Sequence, residues 1–226
     1  MSEDRAARRS GPGRVVGPAL VLGGVAALAW ATSDLVRPRR VDIRSFDPDE
    51  VARLEAAMWR AYYDHRPAAF FAQIARLMRS QFQLGPARAA LLAGLAVRAA
   101  VVFQGGHERA DYVRALPLLR RYYAILRQTS EVPFDVDRAA ALELEWWIVH
   151  RDAARLPAGS LERSLAEVAA ELYQVPVEQV AEHGRHRAAA ATVRDQQAAA
   201  GTVSEQDWQR IEQELRTSWR ALRAAV

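Results

Sequence analysis

The chain contains two similar halves, and a long internal repeat restricts the available folds more than any single motif does. FDPDEVARLEAAMWRAY (46–62) aligns without gaps on FDVDRAAALELEWWIVH (134–150), with Phe, both Asp, Ala, Leu, Glu and Trp identical. IARLMRSQFQL (74–84) shares its pattern with LAEVAAELYQV (165–175), and RAA recurs at 98–100 and 187–189. DYVRALPLLRRYYAILR (111–127) matches DWQRIEQELRTSWRALR (207–223) at Asp, Arg, Leu and further Arg positions, with aromatics exchanged at two others. Single matches of this kind arise freely in an Ala- and Arg-rich chain. Four in one order, offset by 88 to 96 residues, do not.

Residues after 45 carry helical periodicity with few β-branched runs. The expected fold is therefore all-α, with about eight main helices from duplication of a four-helix unit. Unit A covers 46–129 and unit B 134–225, packed as one domain, with QTSEVP (128–133) at the junction. Asp47 reads as an N-cap followed by Pro48, with Glu50 placed to close a capping box. Ser204 and Asp207 form a second box. Phe46 with Val51, and Phe134 with Ala139, are spaced as hydrophobic staples. Gly85-Pro86 ends one helix and begins the next, and Pro117 should kink or divide the helix around it.

A further helix is expected ahead of both units. VVGPALVLGGVAALAWATS (15–33) is uncharged, and its length at the helical rise spans roughly 28 Å, close to a bilayer's hydrocarbon core. It reads as a transmembrane anchor between a basic tail (1–14) and a basic juxtamembrane linker (34–45), with Trp30 near one end. Four Arg lie on each flank, so charge does not set an orientation. The alternative is a signal peptide cleaved near Ala31, in Ala29-Trp30-Ala31.

Composition removes much chemistry. The chain has no Cys, Lys or Asn, so thiol nucleophiles, disulfides, thiolate metal sites, Walker lysines and Schiff bases are excluded. No GxSxG, GxGxxG or HExxH occurs either. The pI of 9.9 is misleading, because residues 1–45 hold eight Arg against four acidic residues while 46–226 hold 23 of each. A neutral body lacks the basic stripe that nucleic acids select.

Helical arithmetic singles out one constellation. Glu143 and His150 fall about 20° apart, on the apolar arc with Trp146 and Trp147. Glu55 and Tyr62 repeat this arrangement around Trp59, with His65 on the same face. Arg98 lies in the otherwise uncharged LLAGLAVRAAVVF, and Glu55 or Glu143 is its expected partner. The candidate cluster is thus Glu55, Tyr62, His65, Arg98, Glu143 and His150, with Trp59, Trp146, Trp147 and His150 as cofactor-contacting candidates.

Three readings apply to this cluster. A buried polar network that fixes helix register comes first, because Glu and Trp recur in both units. A carboxylate metal site comes second, although no Glu-x-x-His occurs anywhere in the chain. A small-molecule or tetrapyrrole pocket between the halves comes third. No metal and no cofactor is predicted. Glu178, Glu182 and His186, with His183 beside them, read as a solvated charged face, and Tyr123 and Trp219 as core.

The functional expectation is a membrane-anchored interaction or scaffold protein rather than an enzyme. It would meet the membrane through 15–33, take a protein partner and bind no nucleic acid. The alternative is a cofactor- or metal-binding bundle, or an enzyme, built on the Glu/His/Arg cluster between the halves.

Overall fold

The computed structural model describes residues 33–226. The basic tail and residues 15–32 of the apolar stretch lie outside the described residues, and with them the expected anchor. Nine α-helices follow a helical turn at 33–36. They are α1 (Pro48–Tyr63), α2 (Pro67–Phe82), α3 (Pro86–Gln104), α4 (Arg109–Tyr112), α5 (Leu116–Thr129), α6 (Val136–Arg151), α7 (Ser160–Tyr173), α8 (Ala181–Ala199) and α9 (Glu205–Ala225). Among the described residues no strand forms, and Val41 makes a lone bridge to Ser130. The protein is all-helical.

Local chemistry sets the helix ends. The Asp47 carboxylate accepts from the amides of Asp49 at 3.0 Å and Glu50 at 3.3 Å. The Glu50 carboxylate takes Arg53 at 2.7 Å instead of reaching back to Asp47, so this cap is not the reciprocal box the sequence predicts. At Ser204 and Asp207 the reciprocal box is complete. Gln83 and Gln174 close α2 and α7 with the same left-handed φ of 52°. Pro117 cannot donate an amide hydrogen, and the chain divides there into α4, a 3-10 turn and α5, with Pro117 in the first turn of α5.

The helices close into a ring. Each long helix packs on its neighbours in sequence, from α1 on α2 through α3, α5, α6, α7, α8 and α9, and α9 packs back on α1. The small α4 sits against α3 and α6. Gly184 shows how tight one joint is: a Cβ there would lie 2.2 Å from the Glu162 carbonyl oxygen on α7. Leu92, Leu126, Leu165, Ile211, Leu215 and Leu222 are fully buried.

The segment 34–45, expected to be a linker, is docked on the body. Ile43 is fully buried, and the Val41 amide donates to the Thr129 carbonyl at 2.8 Å. Arg44 donates to the Tyr173 carbonyl at 2.8 Å, which ties the segment to the end of α7. Asp34 accepts from the Arg88 amide at 3.0 Å and so caps the start of α3, while Arg88 donates back to the Asp34 carbonyl at 2.7 Å. Among the described residues one helix, α3, is long and apolar enough to cross a membrane by length and composition. It forms a wall of the ring, between α2 and α5.

Candidate functional site

A closed ring of amphipathic helices leaves its innermost side chains facing one another, and here they do not fill the space. A central cavity of about 300 Å³ is lined by residues from all eight long helices. Its wall is aromatic and aliphatic, including Trp59, Phe70, Phe103, Tyr122, Trp146, Trp147 and Trp219. Glu55, Glu143, Arg187, His183 and His150 are the charged or titratable groups in that wall, besides its tyrosines.

Two carboxylates stand at matching places in α1 and α6, and their surroundings differ. Glu55 is 1% exposed. Its Oε1 accepts from Arg187 Nε at 2.9 Å and Nη2 at 2.6 Å, and its Oε2 accepts from Trp219 Nε1 at 2.6 Å. Glu143 accepts from the Tyr123 hydroxyl at 3.0 Å and from Trp147 Nε1 at 3.0 Å. Tyr123 lies on α5 and Trp219 on α9, so the last helix of each half reaches the carboxylate on the first helix of the other.

Glu55 is paired with a cation; Glu143 is held by two neutral donors. Among the described residues Glu143 has no ion-pair partner. A carboxylate offers roughly four acceptor sites, so two of those on Glu143 remain open.

The remaining polar groups are fixed as neutral or paired. Burial pushes the phenols of Tyr122 and Tyr123 far above the usual tyrosine range, and the negative charge of Glu143 adds to it. Burial also raises Tyr173, whose hydroxyl accepts from Gln81 at 3.1 Å. Tyr63 is pushed up to about 12 by burial, with Arg194 opposing. His183 is 2% exposed and its pKa falls to about 3, chiefly through burial and secondly through the Arg187 charge. Its Nδ1 lies 2.7 Å from the Ser218 hydroxyl. Burial would lower the pKa of Arg187, yet the charges of Glu55 and Glu143 outweigh it and keep the guanidinium protonated.

The cavity comes near solvent at His150, whose side chain is 21% exposed. The ring stacks on Trp146 at 6.1 Å, and its Nε2 lies 2.9 Å from Asp195 Oδ2. Burial would raise the pKa of Asp195, but hydrogen bonds from His150 and Arg194 hold it below the usual carboxylate value. Arg194 in turn sits over the ring of Tyr63.

Of the predicted cluster, Glu55, Tyr62, Glu143 and His150 share the cavity wall, with Trp59, Trp146 and Trp147. His65 and Arg98 do not. His65 is exposed with φ 53°, two residues past the end of α1, so the helical face it was assigned to does not reach it. Arg98 is exposed because the buried side of α3 is Arg88, Ala89, Leu92, Ala93, Leu95, Ala99 and Phe103. At the helical turn angle Arg98 points roughly 120° away from the centre of that side. Arg187, in the second RAA, is the cation that reaches Glu55.

Sequence reasoning also missed His183, grouped with a solvated face, although Gly184 beside it is a signal of close helix packing. His186 does keep charged neighbours, with Nδ1 2.7 Å from Glu214 and Nε2 3.2 Å from Glu182. Among the described residues no three His, Asp or Glu side chains converge closely enough to hold a metal ion. No family model, no curated protein and no solved structure matches the chain.

Proposed function

We propose that the protein is a membrane-anchored receptor or carrier for a small organic molecule, which it holds in the central cavity. The observation that carries this reading is the cavity itself. Tightly packed helices leave few voids larger than a water molecule. A space of about 300 Å³ ringed by aromatic side chains, with a few convergent polar groups, has the size and make-up of a ligand site. This favours the pocket over the scaffold reading. Large hydrophobics exposed on the body include Phe71 on α2, Leu91 and Val101 on α3, Val113 in the 3-10 turn before α5 and Leu156 between α6 and α7, so they are dispersed.

Two further elements belong to the proposal. The cross-ring pairing of Tyr123 with Glu143 and Trp219 with Glu55 supports descent from a duplicated four-helix unit. So do the equal left-handed caps at Gln83 and Gln174. The uncharged 15–33 stretch supports the anchor, and resistance of the full chain to carbonate extraction from membranes tests it. An uncleaved, fully soluble chain overturns that part.

The cavity is tested with the full chain in detergent and the neutral aromatic probe N-phenyl-1-naphthylamine. Saturation at about 100 times Kd should stabilise a binding-competent protein by about 2.7 kcal/mol, a rise of several degrees in Tm. Ala96→Phe and Ala100→Phe each put a ring into the cavity wall. Either plugged variant that keeps the wild-type circular dichroism should lose this rise. An equal shift in wild type and plugged protein, or none in wild type, overturns the ligand-site reading.

A further inference from the structure

Resting on that reading, we propose that the ligand is an organic cation, an amine or quaternary ammonium on an apolar body, and that Glu143 is its counter-ion. The formal charges in the cavity wall decide the sign. Two carboxylates face one guanidinium, and both hydrogen bonds that Arg187 makes go to Glu55. His183 contributes no charge at neutral pH, being fully enclosed and bonded to Ser218. His150 is engaged with Asp195 at the rim, where Arg194 also pairs with Asp195 at 2.8 Å. Among the described residues the cavity wall therefore carries one more negative than positive charge, and Glu143 is the carboxylate without an ion pair.

Glu143 is half-buried, so a ligand that fills the cavity takes water away from it, and a carboxylate so desolvated is costly without a positive partner. The donors that hold Glu143 orient it without neutralising it. The same cavity wall carries the rings of Tyr122, Tyr123, Trp146 and Trp147, of which Tyr123 and Trp147 turn a polar hydrogen to the carboxylate. Aromatic faces attract a cation through the ring quadrupole, most strongly where water is excluded. Arg187 already lies over Trp146, 5.3 Å from the ring centroid, so this aromatic wall carries a cation of the protein's own. An anion would meet two carboxylates against one guanidinium already paired with Glu55. A neutral apolar molecule would leave the two open acceptor sites of Glu143 unsatisfied.

The test compares two probes of nearly identical shape, benzyltrimethylammonium and neopentylbenzene, in which a carbon replaces the charged nitrogen. Binding is read on the full chain by ligand-induced change in Tm and by isothermal titration. The cation should bind at least about tenfold more tightly than its neutral isostere. Glu143→Gln should erase that preference while leaving neopentylbenzene binding unchanged.

Equal binding of both probes to the wild type overturns the cation proposal and leaves the ligand site standing. Failure of both probes to bind, together with failure of N-phenyl-1-naphthylamine, overturns both. A Glu143→Gln variant that folds yet retains the preference moves the counter-ion elsewhere and overturns the assignment to Glu143. The wild-type comparison decides the ligand class even where that variant fails to fold. There Trp146→Leu, which removes one aromatic face, should still weaken the cation more than the isostere.

Discussion

Glu55 and Glu143 sit at equivalent points on α1 and α6, and each is reached by an aromatic donor from the far half of the ring. Glu55 takes two guanidinium hydrogen bonds on one oxygen and is sealed from solvent; Glu143 has a phenol, an indole and, among the described residues, no ion pair. The same residue in the same place therefore has two jobs. Glu55 closes a charge pair that locks α1 to α8. Glu143 leaves a charge facing an open space. Symmetric positions with asymmetric neutralisation are what separates a structural carboxylate from a binding one in this ring.

The largest effect that could break this contrast comes from removing each carboxylate in turn. Glu55→Ala leaves Arg187 buried without its partner, and should cost about 3–5 kcal/mol. Glu143→Gln keeps the shape and one acceptor oxygen and removes a charge that has no ion pair, so it should cost no more than about 0.5–1.5 kcal/mol. Urea denaturation of both variants measures the difference. Equal losses would mean that Glu143 is as structural as Glu55. Pairing Glu55→Met with Arg187→Met should recover much of the first loss, because an apolar pair of similar volume replaces a desolvated ion pair.

A somewhat smaller effect distinguishes α8 by pH. His183 has a folded pKa of about 3 against an ordinary value of 6.5. The unfolded chain then binds more protons than the folded one between these values, so stability is full above 6.5 and falls as pH drops towards 3. The loss should be on the order of 3 kcal/mol by pH 4. Asp195 acts in the same direction at lower pH, since its depressed carboxyl loses the His150 and Arg194 bonds only when protonated. His183→Gln should flatten the slope between pH 6.5 and 4. A slope unchanged by this substitution would remove His183 from the buried interior.

The helices, the Asp47 and Ser204 caps, the break at Pro117 and the inward faces of α1 and α6 were legible in the sequence. Each rests on local spacing and local chemistry. Ring closure was not legible, because α9 meets α1 across nearly the whole length of the body and no local pattern encodes that contact. The same limit hid the Glu55–Arg187 pair, 132 residues apart. His150 was legible as the residue that departs from its counterpart Tyr62, and it lies at the rim where the cavity nears solvent. A pocket between the halves was only the third reading of the sequence, since aromatic residues at helical spacing look alike whether they fill a core or surround a void.

Arg98 and Arg187 give the smallest expected effect and the finest check on the contrast. Both open an RAA triplet, and both lie on the third long helix of their half. In α3 the residues flanking Arg98 are apolar on every side, so sequence alone cannot tell which face turns inward. The packed face excludes it, and Arg98→Ala should change stability by no more than about 0.5 kcal/mol, as for other exposed positions. Arg187→Ala should cost several times that, because Glu55 is then buried alone. A loss above about 1 kcal/mol for Arg98→Ala would mean that its guanidinium reaches the ring interior. Glu143 would then have its own cation, the two halves would be neutralised alike, and the cavity would have no charge left to offer a ligand.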